Sequence, residues 1–161
     1  MDTRFCKIFL PAYVVSRSTQ SLDSLTVADL CRVFRSYNDY DYDAENVDWR
    51  HLRLRRTKAG GRNVLVLCYR SHEEGVGTLS ECSVVTYTPD DSLPVRSYSF
   101  FYDFYATQPC YTLSEHNGDM TSTPLQSWPF TLSWHTVVEA VRQHERRHPL
   151  TERTTEVFPD I

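Results

Sequence analysis

Between Val95 and Glu115 the chain reads VRSYSFFYDFYATQPCYTLSE, and this stretch constrains the fold more than any other. Arg96, Tyr98, Phe100, Tyr102 and Phe104 alternate with Val95, Ser97, Ser99, Phe101, Asp103 and Tyr105. A period of two marks a strand with one strongly aromatic face, and that face has to be buried. After Ala106-Thr107-Gln108, Pro109 opens a second extended run, Cys110 to Glu115, in which Tyr111 and Leu113 share a side. Proline cannot donate to a sheet ladder, so Pro109 belongs at the start of that strand or on a bulge. The cover for this aromatic sheet is the helical pattern from Ser133 to Arg147, whose apolar stripe is Trp134, Val137, Val138 and Val141.

The remaining elements are placed around that pair. Thr26 and Asp29 form a box-like pair ahead of Val27, Leu30, Cys31, Phe34 and Tyr37, which predicts a first helix over residues 26–37. Residues 49–57 and 62–70 read as a hairpin turning at Lys58-Ala59-Gly60-Gly61, and residues 81–88 as a third strand. The stretch 121–129, rich in Thr, Ser and Pro, reads as a long connection, and Ser133 or Thr131 caps the last helix, which Pro149 ends. Residues 1–23 form an N-terminal segment to which no role is assigned. Residues 24–161 make one α+β domain, an antiparallel meander of four to five strands flanked by an N-terminal and a C-terminal helix.

A chain of 161 residues that is 40% apolar has enough material for one hydrophobic core. The net charge of -4 disfavours a dedicated nucleic-acid binder, whose phosphate contacts need a basic excess. The longest apolar run, Val64 to Cys68, is too short to cross a bilayer, and Met1 to Tyr13 lacks the features of a secretory signal. Five scattered cysteines and the absence of an Asn-x-Ser/Thr acceptor lead to the expectation of a reducing, cytoplasmic location.

Local constellations are weighed against structural readings. Asp39-x-Asp41-x-Asp43 opens like a calcium loop, but Ala44 and Arg50 stand where glycine and a bidentate glutamate are needed. His144 and His148 share a helix face without a third metal ligand nearby in sequence, and a cationic helix end accounts for them. Arg50, Arg53, Arg55, Arg56, Lys58 and Arg62 gather on one hairpin with Trp49 and Tyr69. Such a surface suits RNA or an acidic protein partner, or else is a solvated sheet face balanced by Asp39 to Asp48. Cys110 is a nucleophile candidate if His116, six residues on, is turned back to serve as its base; a buried strand cysteine is the plainer reading.

Arg96-Ser97-Tyr98, Tyr102-Asp103-x-Tyr105, Pro109, Pro129-Phe130-Thr131-Leu132 and His148-Pro149-Leu150, with Asp48-Trp49-Arg50 upstream, together resemble the autophagy branch of the ubiquitin-conjugating-like enzymes, to which autophagy-related proteins 3 and 10 belong. The resemblance covers roughly residues 24–158 and implies a conjugating-enzyme-like fold. It also implies thioester transfer of a ubiquitin-like autophagy modifier, delivered by an activating enzyme, to an acceptor protein, with no cofactor. The family's catalytic His-Pro-Cys motif, aligned after His148-Pro149, falls on Pro159-Asp160-Ile161, which holds no cysteine. The competing alignment puts it on Gln108-Pro109-Cys110-Tyr111-Thr112, which makes Cys110 catalytic but demands a helix near Leu79 to Tyr87. On either alignment the resemblance makes Arg53, Arg55, Arg56, Tyr102 and Tyr105 candidate partner contacts. The alternative to such an enzyme is a non-enzymatic protein- or RNA-binding module using the arginine hairpin at 49–70.

Overall fold

Six antiparallel strands lie side by side in the order in which they occur along the chain. They are β1 (Val47–Ala59), β2 (Arg62–Glu73), β3 (Gly77–Tyr87), β4 (Arg96–Asp103), β5 (Cys110–His116) and β6 (Ser122–Trp128), followed by helix α1 (Trp134–Arg147). The computed structural model describes residues 22–29, 47–73, 75, 77–88, 95–103, 106–117 and 121–149. The β1–β2 hairpin is the longest, and it turns on Gly60 and Gly61 at φ values of 58° and 84°. Two successive positive φ angles suit a two-residue hairpin turn, and only glycine takes both without strain.

The alternation in β4 has the consequence expected of it. Tyr98 and Phe100 face the helix with Val64 and Val66 of β2, Val84 of β3 and Leu113 of β5, and Val137, Val138 and Val141 of α1 close over them. Phe100 stacks on Tyr111 with ring centroids 5.3 Å apart and meets Trp128 edge-on at 5.9 Å. Each such buried side chain contributes roughly 1.5–3 kcal/mol. Helix α1 begins at Ser133, whose hydroxyl accepts from the Thr136 amide at 3.3 Å.

The opposite face is different in character. Ser83, Ser97, Ser99, Thr112, Ser114 and His116 are all buried on it, and strand register sets Ser83, Ser99 and Ser114 side by side across β3, β4 and β5. Apolar packing on this side gathers at Leu65, Val85 and Tyr87, against Leu22, Leu54 and Val95. Leu22–Ser24 forms a 3-10 turn, and the Tyr87 hydroxyl donates to Asp23.

The expected conjugating-enzyme-like α+β fold is not the one formed. The described chain is mostly antiparallel sheet, with six strands rather than four or five, and α1 is the helix that packs on it. The extra strand, β6, runs through 122–128, the stretch read as a connection. Pro124 hid it: proline removes a ladder donor, but β6 is an edge strand and one of its sides needs no partner. Of the helix expected over 26–37, residues 27–29 are helical behind a reciprocal Thr26–Asp29 box, with Thr26 N donating to Asp29 Oδ2 at 2.9 Å and Asp29 N to Thr26 Oγ1 at 3.2 Å. The rest of it, like the acidic loop at Asp39 to Asp43, lies outside the described residues. No helix among the described residues is long and apolar enough to cross a membrane.

Candidate functional site

Strand register divides the arginines of the first hairpin between two faces. Arg53 pairs with Cys68 and Arg55 with Val66, so both stand on the side that carries α1; Arg56 pairs with Leu65 and stands on the other. The basic hairpin is therefore not one surface. Arg56 has a structural task, since its guanidinium donates to the carbonyls of Leu22 at 3.2 Å and Leu25 at 2.5 Å and so holds the 3-10 turn. Arg62 is buried. Arg53 and Arg55 are exposed on the same face of β1, an edge strand of the sheet, with Arg53 Nη1 donating to the Leu52 carbonyl at 2.9 Å.

Aromatic and polar groups border this pair. The Arg55 guanidinium lies over the Trp134 ring, 5.9 Å from its centroid, which is a cation–π distance. Trp134 also lines a groove of about 370 Å³ with Cys68, Arg70, Ser80, Glu81 and Thr131. Cys68 and Cys82 come directly opposite each other across β2 and β3. Burial pushes both thiols up, and the Arg55 charge only partly offsets this at Cys68, so neither is a ready thiolate.

A second polar cluster sits where α1 ends. Glu145 Oε2 accepts from the Tyr98 hydroxyl and from the Thr86 hydroxyl, each at 2.6 Å, and Arg62 Nε lies 3.4 Å from Glu145 Oε1. Beside it, Arg96 Nε donates to Glu115 Oε1 at 2.8 Å and Arg96 Nη1 to the His148 carbonyl at 2.7 Å. His144 Nε2 lies 2.8 Å from the other oxygen of Glu115. Burial and the adjacent Glu145 carboxylate push the Tyr98 phenol far up, so Tyr98 acts as a fixed donor. Burial pulls the Arg62 guanidinium down against the opposing attraction of Glu145.

The other candidate residues are scattered. Cys110 is partly buried at the start of β5, its sulfur 3.6 Å from Thr112 Oγ1. His116, its proposed base, lies at the far end of the same strand, roughly 20 Å away at ~3.4 Å per residue. There His116 Nε2 is 2.7 Å from Ser99 Oγ in the buried face, so the chain does not turn it back. The helix that the Cys110 alignment demands over Leu79 to Tyr87 is strand β3. Tyr102 is half-buried, its amide donating to Glu81 Oε2 at 2.9 Å and its ring edge-on to Tyr111. Tyr105 and the stretch Pro159 to Ile161 lie outside the described residues. The His144 and His148 rings lie 4.7 Å apart, and among the described residues no three His, Cys, Asp or Glu side chains are grouped to hold a metal ion.

What sequence reading missed is the helix-side pairing. A period of two predicts that Arg53 and Arg55 part company with Arg56, but that Trp134 meets Arg55 depends on how α1 crosses the sheet. The chain matches no protein-family model, no curated protein and no solved structure.

Proposed function

We propose that the protein is a non-enzymatic binding module that receives an acidic segment of a protein partner along the α1 side of strand β1. The observation that carries this reading is the exposure of Arg53 and Arg55 on one face of an edge strand, with Trp134 beneath Arg55. Alternate strand residues are about 7 Å apart along the backbone, the spacing of carboxylates two residues apart on an extended peptide, and each guanidinium can pair with one carboxylate. Among the described strands, β1 is paired on one edge only, and its other edge adds backbone donors and acceptors in the plane of the sheet. The aromatic ring supplies flat contact area next to the charges.

Thioester transfer finds less support. It would need Cys110 to have a base or cation beside it, and the described neighbour of its sulfur is a threonine hydroxyl. RNA is the weaker partner for a chain of net charge -4 whose hairpin arginines point to two faces.

The test is a titration of fluorescein-labelled 12-residue peptides, one rich in Asp and Glu and one with the amides Asn and Gln in their place. The acidic peptide should bind and the amide peptide should not, and Arg53→Glu with Arg55→Glu should abolish binding. Equal binding of the acidic peptide by the double variant would remove these arginines from the site. Tighter binding of a single-stranded RNA 20-mer, lost in the same variant, would replace the protein partner with a nucleic acid.

A further inference from the structure

A pocket of about 280 Å³ opens between the β1–β2 turn and the last turns of α1, and its charged lining is Arg62, Arg96, Arg142, Arg146 and Glu145. Four guanidiniums face one carboxylate in a protein whose net charge is -4. Their neighbours offset only part of this. Glu115 is committed to Arg96 at 2.7 Å, and Glu139 lies 3.4 Å from Arg142 Nη1 in an exposed pair. Counting those two, four positive groups meet three negative ones among the described residues.

The arginines divide by role. Arg62 and Arg96 are fixed in place: Arg62 Nη2 donates to the Thr86 carbonyl at 2.9 Å, and Arg96 is held by Glu115 and the His148 carbonyl. They contribute field rather than free donors. Arg142 and Arg146 are one helical turn apart, and like charges at that spacing repel and oppose the helix. Among the described residues, Arg142 Nε is buried with no hydrogen-bond partner, a condition that costs stability unless an acceptor comes to it. Gly60 stands at the mouth with nothing within 4 Å of where a Cβ would be, so the turn leaves the opening unfilled.

We propose that this pocket binds one phosphate-class oxyanion, either inorganic phosphate or the phosphate of a small monoester, through Arg142 and Arg146 with Arg62 and Arg96 behind them. A planar carboxylate is satisfied by one guanidinium fork, whereas a tetrahedral oxyanion has oxygens for two forks approaching from different directions. The volume admits such a group with a small substituent. The site is separate from the Arg53–Arg55 surface: it is built at the C-terminal end of α1, whereas Trp134 is at the N-terminal end. The two therefore stand or fall independently.

The experiment is calorimetric titration of the full chain with sodium phosphate, phenyl phosphate and sodium acetate at constant ionic strength. Phosphate should bind saturably at one site, acetate at least about tenfold more weakly, and Arg142→Gln with Arg146→Gln should weaken phosphate at least about tenfold, as loss of charge-assisted hydrogen bonds does. Arg53→Gln with Arg55→Gln should leave it unchanged. Tighter binding of phenyl phosphate than of phosphate assigns the site to a monoester, and the reverse order assigns it to the free ion. Side-chain Nε–H resonances of the wild-type protein give a reading that needs no variant: those of Arg142 and Arg146 should shift along the phosphate titration. No saturable heat with phosphate, equal affinity for acetate, or unmoved Arg142 and Arg146 resonances would overturn the proposal.

Discussion

The two faces of the sheet share the same strands and differ in how much of their buried surface is polar. On the α1 side, β4 presents Tyr98 and Phe100, closed over by three valines of the helix. On the other side of the same strand, Ser97 and Ser99 are as deeply buried yet offer almost no apolar area, and Phe101 next along is a buried aromatic on that face. Burial alone therefore does not tell which face stabilises the fold. Both faces gain from transfer of large side chains out of water; the serine face adds buried polar groups, of which Ser99 and His116 meet at 2.7 Å while Ser97 Oγ has no hydrogen-bond partner among the described residues. On the helix side, Glu145 ties Tyr98, Thr86 and Arg62 together near the end of α1.

The contrast is broken most strongly on the helix side. Phe100→Ala should cost about 3–5 kcal/mol in urea unfolding, because it empties a site between Tyr111, Trp128 and α1 that cannot collapse. Tyr98→Phe keeps the ring and deletes the hydroxyl donated to Glu145, and should cost about 1.5–3 kcal/mol, the range for a bond to a charged acceptor. A loss in Tyr98→Phe as large as that in Phe100→Ala would mean that the polar network, not the aromatic packing, governs that side.

On the serine face the sensitive measurement is pH. Burial pulls the His116 imidazole down to about 3, so it is neutral in the folded protein and takes a proton near 6.5 when unfolded. The folded state thus binds fewer protons on acidification. Its stability from this group is full above pH 6.5 and is lost progressively as pH falls toward 3. Between pH 7 and pH 5 the loss should be about 2 kcal/mol in urea unfolding, and His116→Gln should flatten that slope. An unchanged slope in the variant would place the proton uptake elsewhere.

Much of this architecture was legible because period-two alternation is a local property. The aromatic strand expected over 95–105 is β4 over Arg96–Asp103, the run from Cys110 is β5, and the hairpin turns at Gly60 and Gly61 as read. Helix α1 is where its valines and Ser133 put it. The conjugating-enzyme-like arrangement failed because it rested on short pieces of sequence, and because Pro124 disguised β6 as a connection. The sites were less legible for a related reason. The hairpin arginines look like one patch in sequence, yet the pleat sends Arg56 to the opposite side from Arg53 and Arg55. Nothing local in sequence brings Arg62 and Arg96 to Arg142 and Arg146, since that meeting is made by the way α1 lies across the sheet.

The central claim is that Arg53 and Arg55 form the binding surface while Arg56 serves the fold. Fluorescence titration of the acidic 12-residue peptide against Arg53→Glu/Arg55→Glu and against Arg56→Glu tests it directly. The account predicts that the first variant loses binding with its unfolding midpoint nearly unchanged, and that the second binds as the wild type does but unfolds earlier. Binding lost equally in both variants, or kept in the first, would contradict it.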